Sequence, residues 1–409
     1  MQTFTKPMQT VLTIVTAIEP SRKNELEKIL STIQQDLYGN SYIPFGQLSL
    51  LHFASFVIIQ DVSGNPLLVF ENNFDGDLST YLDELLAVAG NGIDQIYSCC
   101  SGYDPKENKA FLTAHVVPPN AYHIGNTGRK AKDIAGNRQL RLSLQDYLDG
   151  LQLPSLSGIE LRKNIQNYTA TLNPELSAPL PPHQTWVEKV MPWVNLVLFG
   201  IVFLALLPID LIAVIILRYK EKRDASNTAP EDPNHVNNLM QNENQIAQNH
   251  LASITLIKPG WFRLNLLKFA LFAVNLLARI STKGKLSGIP SIHFAHWSII
   301  NNNQLLFLSN FDGSWSSYLD DFIDKASRGL TGVWSNTVGF PKTRFLILDG
   351  ATDELRFKAY ARGMQVPSLV WFSAYPDLTV QNIDKDSKIR ENVLTDLSEA
   401  ETKTWLKLF

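Results

Sequence analysis

The sequence predicts an α+β protein made of two copies of one β-α-β-β-α-β unit, with a long apolar segment between the copies. Three observations lead to this prediction. The pentapeptide NNFDG at Asn72–Gly76 returns as SNFDG at Ser309–Gly313, 237 residues later. Strand-like and helix-like runs follow one another in the same order around each pentapeptide. Between the copies, Val190–Leu217 is almost entirely apolar.

The duplication reaches well beyond the pentapeptide. Leu68–Tyr103 aligns with Leu305–Phe340 without a gap, and 14 of 36 positions are identical. The tripeptide His-Phe-Ala also occurs in both copies, starting at His52 and His293. Self-similarity over a long fixed period indicates a tandem duplication. We therefore predict one repeat at 1–150 and a second at 251–409, each with appended helices.

The first repeat shows its elements in order. The first run is β-branched and stops at Pro20, and the next has apolar residues at helical spacing; two strands around the Ser63–Pro66 turn then precede a second amphipathic helix. The predicted elements are strand Val11–Ile18, helix Lys23–Leu37, strands His52–Gln60 and Pro66–Phe74, helix Leu78–Ala89 and strand Gln95–Ser101.

The second repeat has the same order, with a longer first helix. Its turn between the two central strands is Asn301-Asn302-Asn303, shorter than in the first repeat, as surface turns tolerate. The predicted elements are strand Ala252–Lys258, helix Trp261–Ile280, strands Ile292–Ile300 and Gln304–Phe311, helix Trp315–Ser327 and a strand near Val333.

This order of elements is that of the ferredoxin-like fold. Two such open sheets commonly pack face to face, which predicts a pseudo-dimeric α+β barrel. With that topology the chain resembles the dimeric α/β-barrel superfamily, which includes dye-decolourising peroxidases and chlorite dismutases. It is also similar to a little-characterised group of bacterial proteins with paired HFAR-like and FDGS-like segments. The resemblance implies haem as a candidate cofactor and a peroxidase-like oxidoreductase as one candidate function.

The candidate site residues are the acidic residue of each pentapeptide, Asp75 and Asp312, and the two strand histidines, His52 and His293. Peroxidases of the resembled family have a GxxDG motif whose Asp assists peroxide cleavage, although Asn72 and Ser309 stand here in place of its first Gly. A strand histidine can ligate haem iron or act as a general base. The alternative is structural: a strand-to-helix turn with a cap from the next residue, beside a hydrogen-bonded histidine.

Other histidines fit a site less well. His296 lies three residues after His293, so on a strand their side chains point to opposite faces. His123 has Phe372 at the matched position of the second repeat, so any role it has belongs to one half. The sequence contains no CxxC or HExxH motif, and we predict no metal site.

Composition narrows the partners and the compartment. The net charge is −3, and no Lys/Arg stripe interleaved with aromatic residues occurs, which argues against nucleic acid. The only cysteines, Cys99 and Cys100, are adjacent and poorly suited to a disulfide framework. We therefore expect the repeats to occupy a reducing compartment, the cytoplasm.

The segment 186–223 predicts association with a lipid bilayer. Val190–Leu217 is a 28-residue apolar run with Asp210 as its one charge, longer than the roughly 20 residues that a span needs. Trp186 and Trp193 lie at one end of the segment and basic residues follow it, as at membrane interfaces. A single pass would separate the repeats, so we favour a hairpin turning at Pro208.

Two polar stretches flank this segment, a Pro-rich linker at 151–185 and a connector at 224–250. Helix Trp261–Ile280 could also lie against lipid, with Arg263 and Lys268 at its rim. The sequence favours a membrane-associated barrel that binds a small molecule or a partner protein, with side chains filling the space between the sheets. The haem-dependent oxidoreductase is the alternative, and it predicts a pocket there with a histidine pointing into it.

Overall fold

A computed structural model of the chain describes residues 8–151, 157–172, 186–227, 229–280 and 286–409. The α+β class is confirmed, with antiparallel sheets covered by helices. The elements of the first half are strands β1 (Gln9–Ala17), β2 (Leu51–Gln60), β3 (Pro66–Asp75) and β4 (Ala121–Ile124), with helices α1 (Lys23–Gln35), α2 (Leu78–Tyr97), α3 (Asn108–Ala114), α4 (Ala131–Asp149) and α5 (Gly158–Thr169).

Three helices connect the halves: α6 (Trp186–Ala205), α7 (Leu207–Glu221) and α8 (Pro233–Met240). The elements of the second half are strands β5 (Gln248–Leu256), β6 (Ile292–Ile300), β7 (Gln304–Asp312), β8 (Thr343–Arg344), β9 (Leu348–Asp349), β10 (Gln365–Val366) and β11 (Val370–Ser373), with helices α9 (Trp261–Ile280), α10 (Trp315–Trp334), α11 (Glu354–Met364), α12 (Val380–Val393) and α13 (Glu399–Leu406).

The two main sheets exchange strands. The first has the order β1-β3-β2-β11 and the second β10-β5-β7-β6-β4, so each half adds a strand from its tail to the other half's sheet. The central registers correspond: Gln9 lies opposite Asp75, and Gln248 opposite Asp312. The halves are therefore joined within one chain by reciprocal backbone pairing.

The predicted closing strands at 95–101 and near Val333 are wrong. Both segments continue the preceding helices α2 and α10, and only single bridges follow, from Cys100 to Ile18 and from Thr337 to Ile257. Short apolar runs of this kind fit a helix or a strand equally well. The helix is favoured here because it buries Ile96 and Tyr97 against the first sheet.

The inner faces of the sheets pack against each other. Apolar residues of β2, β3, β5, β6 and β7 form a shared cluster between the sheets: Val57, Ile59, Leu67, Val69, Ala252, Ile300, Leu306 and Leu308. Helices α1 and α2 cover the outer face of the first sheet, and α9, α10 and α11 that of the second. Side chains therefore fill the space between the sheets.

The apolar segment is neither one long helix nor the predicted hairpin. Only Leu206 separates α6 from α7, and its dihedral angles of −94° and 6° bend the chain without reversing it. Pro208 lies in the first turn of α7, where a proline leaves a carbonyl of the preceding turn without its donor. Within the described residues, none of the helices combines the length and the apolar character needed to cross a bilayer. The predicted transmembrane helix is therefore not found there.

Two smaller expectations also change. The predicted linker at 151–185 contains α5, which packs through Ile165 against α4, α12 and α13. Arg263, predicted at the rim of an apolar surface, instead turns inward and pairs with Asp224, as Lys258 does at 2.7 Å. The start of the connector is thus fastened to α9 and to the residues after β5 by a partly buried ionic contact.

Candidate functional site

The predicted histidines and aspartates form two equivalent pairs, one in each half. His52 Nε2 lies 3.0 Å from Asp75 Oδ1, and His293 Nε2 lies 2.7 Å from Asp312 Oδ1. His52 and His293 lie at the starts of β2 and β6, and they meet Asp75 and Asp312 at the ends of β3 and β7 because these neighbouring strands are antiparallel. The sequence prediction therefore found residues that do meet.

The second oxygen of each aspartate holds the start of a tail helix. Asp75 Oδ2 accepts from the backbone N–H of Ala131 at 2.8 Å, and Asp312 Oδ2 accepts from that of Val380 at 2.8 Å. These residues begin α4 and α12, where backbone N–H groups have no intrahelical partner and a negative charge is favourable. Each pentapeptide aspartate thus contacts both a strand histidine and the first residue of a helix that is distant in the sequence.

The glycine and the residue after it complete the turn. Gly76 and Gly313 have φ angles of 83° and 79°, a conformation that disfavours a side chain. Asp77 accepts from the backbone of Thr80, and Ser314 caps α10 in the same way. This confirms the predicted strand-to-helix turn with its cap. The catalytic role of His52, His293, Asp75 and Asp312 stays a prediction.

The residues around these pairs do not fit a haem. Both nitrogens of His52 are engaged, because Nδ1 lies 2.9 Å from the Tyr375 hydroxyl. His293 Nδ1 has no hydrogen-bond partner among the described residues, but its ring is buried 5.1 Å from the Phe53 ring. Phe53, Phe294 and Tyr375 pack together at this end of the sheets. Their rings occupy the space that a macrocycle beside either histidine would need.

A second polar cluster, which sequence reasoning missed, lies between the sheets. Its centre is Glu71 of β3, fully buried. Glu71 Oε2 lies 2.8 Å from His250 Nε2 and accepts from Ser55 Oγ at 2.9 Å. Glu71 Oε1 accepts from the amides of Asn73 and Asn310 at 3.0 and 3.2 Å. This Glu71 cluster crosses from one sheet to the other, since His250 and Asn310 belong to β5 and β7.

Electrostatics keep Glu71 ionised. Burial alone would raise its pKa, but the His250 ring and the surrounding hydrogen bonds outweigh burial and hold the pKa of Glu71 at about 2. His296 faces the same carboxylate, with Nδ1 3.9 Å from Glu71 Oε1 and Nε2 2.7 Å from Thr13 Oγ1. Burial lowers the pKa of His296, although Glu71 opposes the shift.

The Glu71 cluster joins both halves but is not repeated by the duplication. The strand registers place Leu308 at the position equivalent to Glu71, and Val11 and Ser55 at those equivalent to His250 and His296. A signal was present in the sequence, because Glu71 interrupts the apolar inner face of β3 that Leu67 and Val69 begin. The alignment of the repeats set it opposite a leucine.

The cluster has limited chemical scope. A carboxylate beside an imidazole can exchange a proton, but catalysis also needs a substrate within hydrogen-bond reach. Glu71, His250 and His296 are all buried and contact protein groups. Within the described residues, no three His, Cys, Asp or Glu side chains are placed to hold a metal ion. The arrangement is suited to joining the two sheets.

Comparison with known proteins gives no further guide to this site. No protein-family model, no curated protein and no solved structure matches the chain. The functional conclusion therefore rests on the geometry alone.

Proposed function

We propose that the chain is a membrane-associated binding protein: two ferredoxin-like repeats form a pseudo-dimeric barrel that attaches to the bilayer surface and takes up a small molecule. Two observations support a binding role over catalysis. Side chains fill the space between the sheets, and the predicted site residues contact protein groups. The haem-dependent alternative is not proposed, since neither strand histidine has room for the macrocycle.

The observation that carries the membrane proposal is the exposed apolar surface of α6 and α7. Leu204 is 70% exposed and Ile215 is 69% exposed. Soluble monomers seldom leave so continuous an apolar surface in contact with water. Its other strongly exposed members include Val197, Leu198, Ile201, Ile209, Leu211 and Ile212.

Lipid explains this surface better than a protein groove does. Between Ile209 and Ile216 the exposed residues of α7 cover most of the circumference of the helix, and only the side with Asp210, Ala213 and Leu217 is partly or fully covered. A helix that docks in a protein groove keeps a polar stripe, whereas Asp210 is the one charged residue of α7 over this stretch. Tyr219, Lys222 and Arg223 follow directly and are exposed, a sequence of aromatic and basic residues that suits the headgroup region.

The contacts of the segment favour an orientation along the membrane surface. The Phe199 ring of α6 lies 5.7 Å from the rings of Phe269 and Phe272 on α9. At the end of α7, Glu221 accepts from the backbone N–H groups of Phe345 and Leu346. Because α6 and α7 are both attached to the second half, the segment lies along that half instead of projecting from it.

Vesicle flotation tests this proposal. The purified full chain should float with vesicles of phosphatidylcholine and phosphatidylglycerol, and the double substitution Leu211→Glu and Ile215→Glu should reduce the bound fraction roughly ten-fold or more, because charged groups resist transfer into the acyl region. Leu355→Glu is the matched control, since Leu355 is 83% exposed on α11, away from this surface. Equal flotation of the double variant and the wild-type chain would refute the proposal.

A further inference from the structure

A cavity of about 400 Å³ opens beneath the second sheet, between α9 and α10. Its inner wall is apolar and aromatic, formed by Leu286, Trp297, Phe322 and Trp334. Pockets for small molecules commonly measure roughly 300–1,000 Å³ and are lined mainly by such side chains. The cavity therefore has the size and lining of a ligand site.

The equivalent place in the first half is closed. Gly92 of α2 and Gly329 of α10 are equivalent, yet a Cβ at Gly92 would lie 1.9 Å from the Tyr42 carbonyl oxygen, whereas a Cβ at Gly329 would meet none of the described residues within 4 Å. In the first half the connection after α1 covers the helix and buries Ile43 and Phe45 in the core. Among the described residues, the matched helices thus have a closed surface at Gly92 and an open one at Gly329.

The rim of the cavity is charged. Lys325 and Arg328 of α10 line it together with Asp324, and all three are exposed. Lys325 also contacts Asp321 at 2.5 Å, which leaves Arg328 as the cation best placed for a ligand. An apolar interior under a basic edge matches a molecule with an apolar chain and an acidic head.

The opening lies beside the proposed membrane surface. Leu277 of α9 lines the cavity and is exposed, and α9 also presents Phe269 and Phe272 to α6. One helix therefore borders both the apolar surface and the cavity, so a chain leaving the bilayer would meet the opening directly.

We propose that this cavity binds one molecule of a single-chain anionic amphiphile, with its chain against Trp297, Phe322 and Trp334 and its acidic group at Arg328. The inference names the small molecule of the proposed function and rests on that proposal only for the bilayer as the source of the ligand.

Titration of the full chain with dansyl undecanoic acid, followed by energy transfer from tryptophan, tests the inference. We expect saturable one-to-one binding, and at least a ten-fold loss of affinity in Gly329→Phe, whose ring would enter the opening. Gly363→Phe is the matched control, because Gly363 is an exposed helical glycine with open space around it and lies outside the cavity. Its affinity should equal that of the wild-type chain.

The neutral methyl ester of the same probe tests the acidic head. Arg328→Glu should weaken the acid about ten-fold and leave the ester unchanged, since a charge-assisted contact is lost only for the acid. Absence of saturable binding, or equal affinity in Gly329→Phe and Gly363→Phe, would overturn the site. If Arg328→Glu reduced the affinity for the acid and for the ester equally, the assignment of the acidic group to Arg328 would be overturned.

Flotation of the same variants separates this inference from the membrane proposal. Gly329→Phe should float as the wild-type chain does, because α6 and α7 are unchanged. Probe binding without flotation would support the cavity and refute attachment to the bilayer. If the probe reached the same final occupancy from vesicles as from solution, the bilayer would be identified as a competent source of the ligand. Flotation without probe binding would refute the cavity alone.

Discussion

The two halves of the molecule have the same framework of strands and His-Asp pairs, and they differ in a buried polar cluster and in the surface of one helix. Both have a His-Asp pair that fixes a tail helix, at Asp75 and at Asp312. One half supplies the buried Glu71, and the other has, among the described residues, an open surface at Gly329. Residues retained in both copies make contacts that hold the fold, and the differences between the copies indicate where function is to be sought.

The largest expected effect on stability comes from a substitution at Glu71. It tests whether the first half tolerates the residue that the second half has at the equivalent position. Glu71→Leu, which introduces the residue found at Leu308, should lower the free energy of unfolding by about 3–5 kcal/mol, because it leaves buried polar partners without their carboxylate. Urea unfolding measures the change.

A combined variant is the control for that result. Adding His250→Val and His296→Ser, the residues of the other half, should restore most of the lost stability, since a buried ion pair replaced on both sides by matching residues is often neutral. A triple variant less stable than Glu71→Leu would show that the cluster is not an exchangeable difference between the halves.

The two aspartates should respond alike if their role is structural. Asp75→Ala and Asp312→Ala should each cost about 2–3 kcal/mol, because each substitution removes a charged acceptor from a histidine and from a helix N-terminus. Thermal and urea unfolding measure both. A much larger effect on binding or any activity from one of them than from the other would instead assign that residue to a functional site.

His123, which has no histidine counterpart in the second half, should make the stability of the protein depend on pH. Burial lowers its pKa to about 4, while an unfolded histidine has a pKa near 6.5. The folded state therefore resists a proton that the unfolded state accepts, and stability falls as the pH drops from about 6.5 towards 4.

His123→Phe introduces the residue that the second half has at Phe372. Between pH 7 and pH 5 the wild-type chain should lose about 2 kcal/mol through His123, and the variant should lack that part of the loss. Unfolding free energies at the two pH values measure it. His296→Ser serves for comparison, because burial lowers the pKa of His296 too. An unchanged pH dependence in His123→Phe would contradict the assignment.

The helix caps should show the smallest effect. Asp77→Ala and Ser314→Ala remove the side chains that accept from the first turns of α2 and α10. Each should cost about 1 kcal/mol. Urea unfolding can resolve this, and Ser79→Ala in the same helix turn is a control that leaves the cap intact.

The strands of each core were predictable because alternation and the repeat fixed them. β2 and β6 begin and end within a residue of the prediction, and α9 matches it at both ends. The closing strands failed because a short apolar run such as Gln95–Ser101 has no period long enough to separate helix from strand. Only packing against the first sheet decides between them.

The partners of the site residues were harder to predict than the residues. The pairing of Asp75 with His52 joins neighbouring strands, so the strand order predicts it. The contact from Asp75 to Ala131 depends on where a tail helix begins, and the contact from Glu71 to His250 depends on how two sheets face each other. Local sequence patterns predict neither of these two contacts.

The exchanged strands β4 and β11 have a consequence for the ancestry of the chain. A protein with one repeat would present an unpaired sheet edge and hold, on its own tail, the strand that fits the same edge of an identical molecule. Such an ancestor would form a symmetric homodimer by domain swapping, and gene fusion would then make the pair covalent. Two separately expressed fragments, divided within the connector, should accordingly find each other and reassemble as a heterodimer.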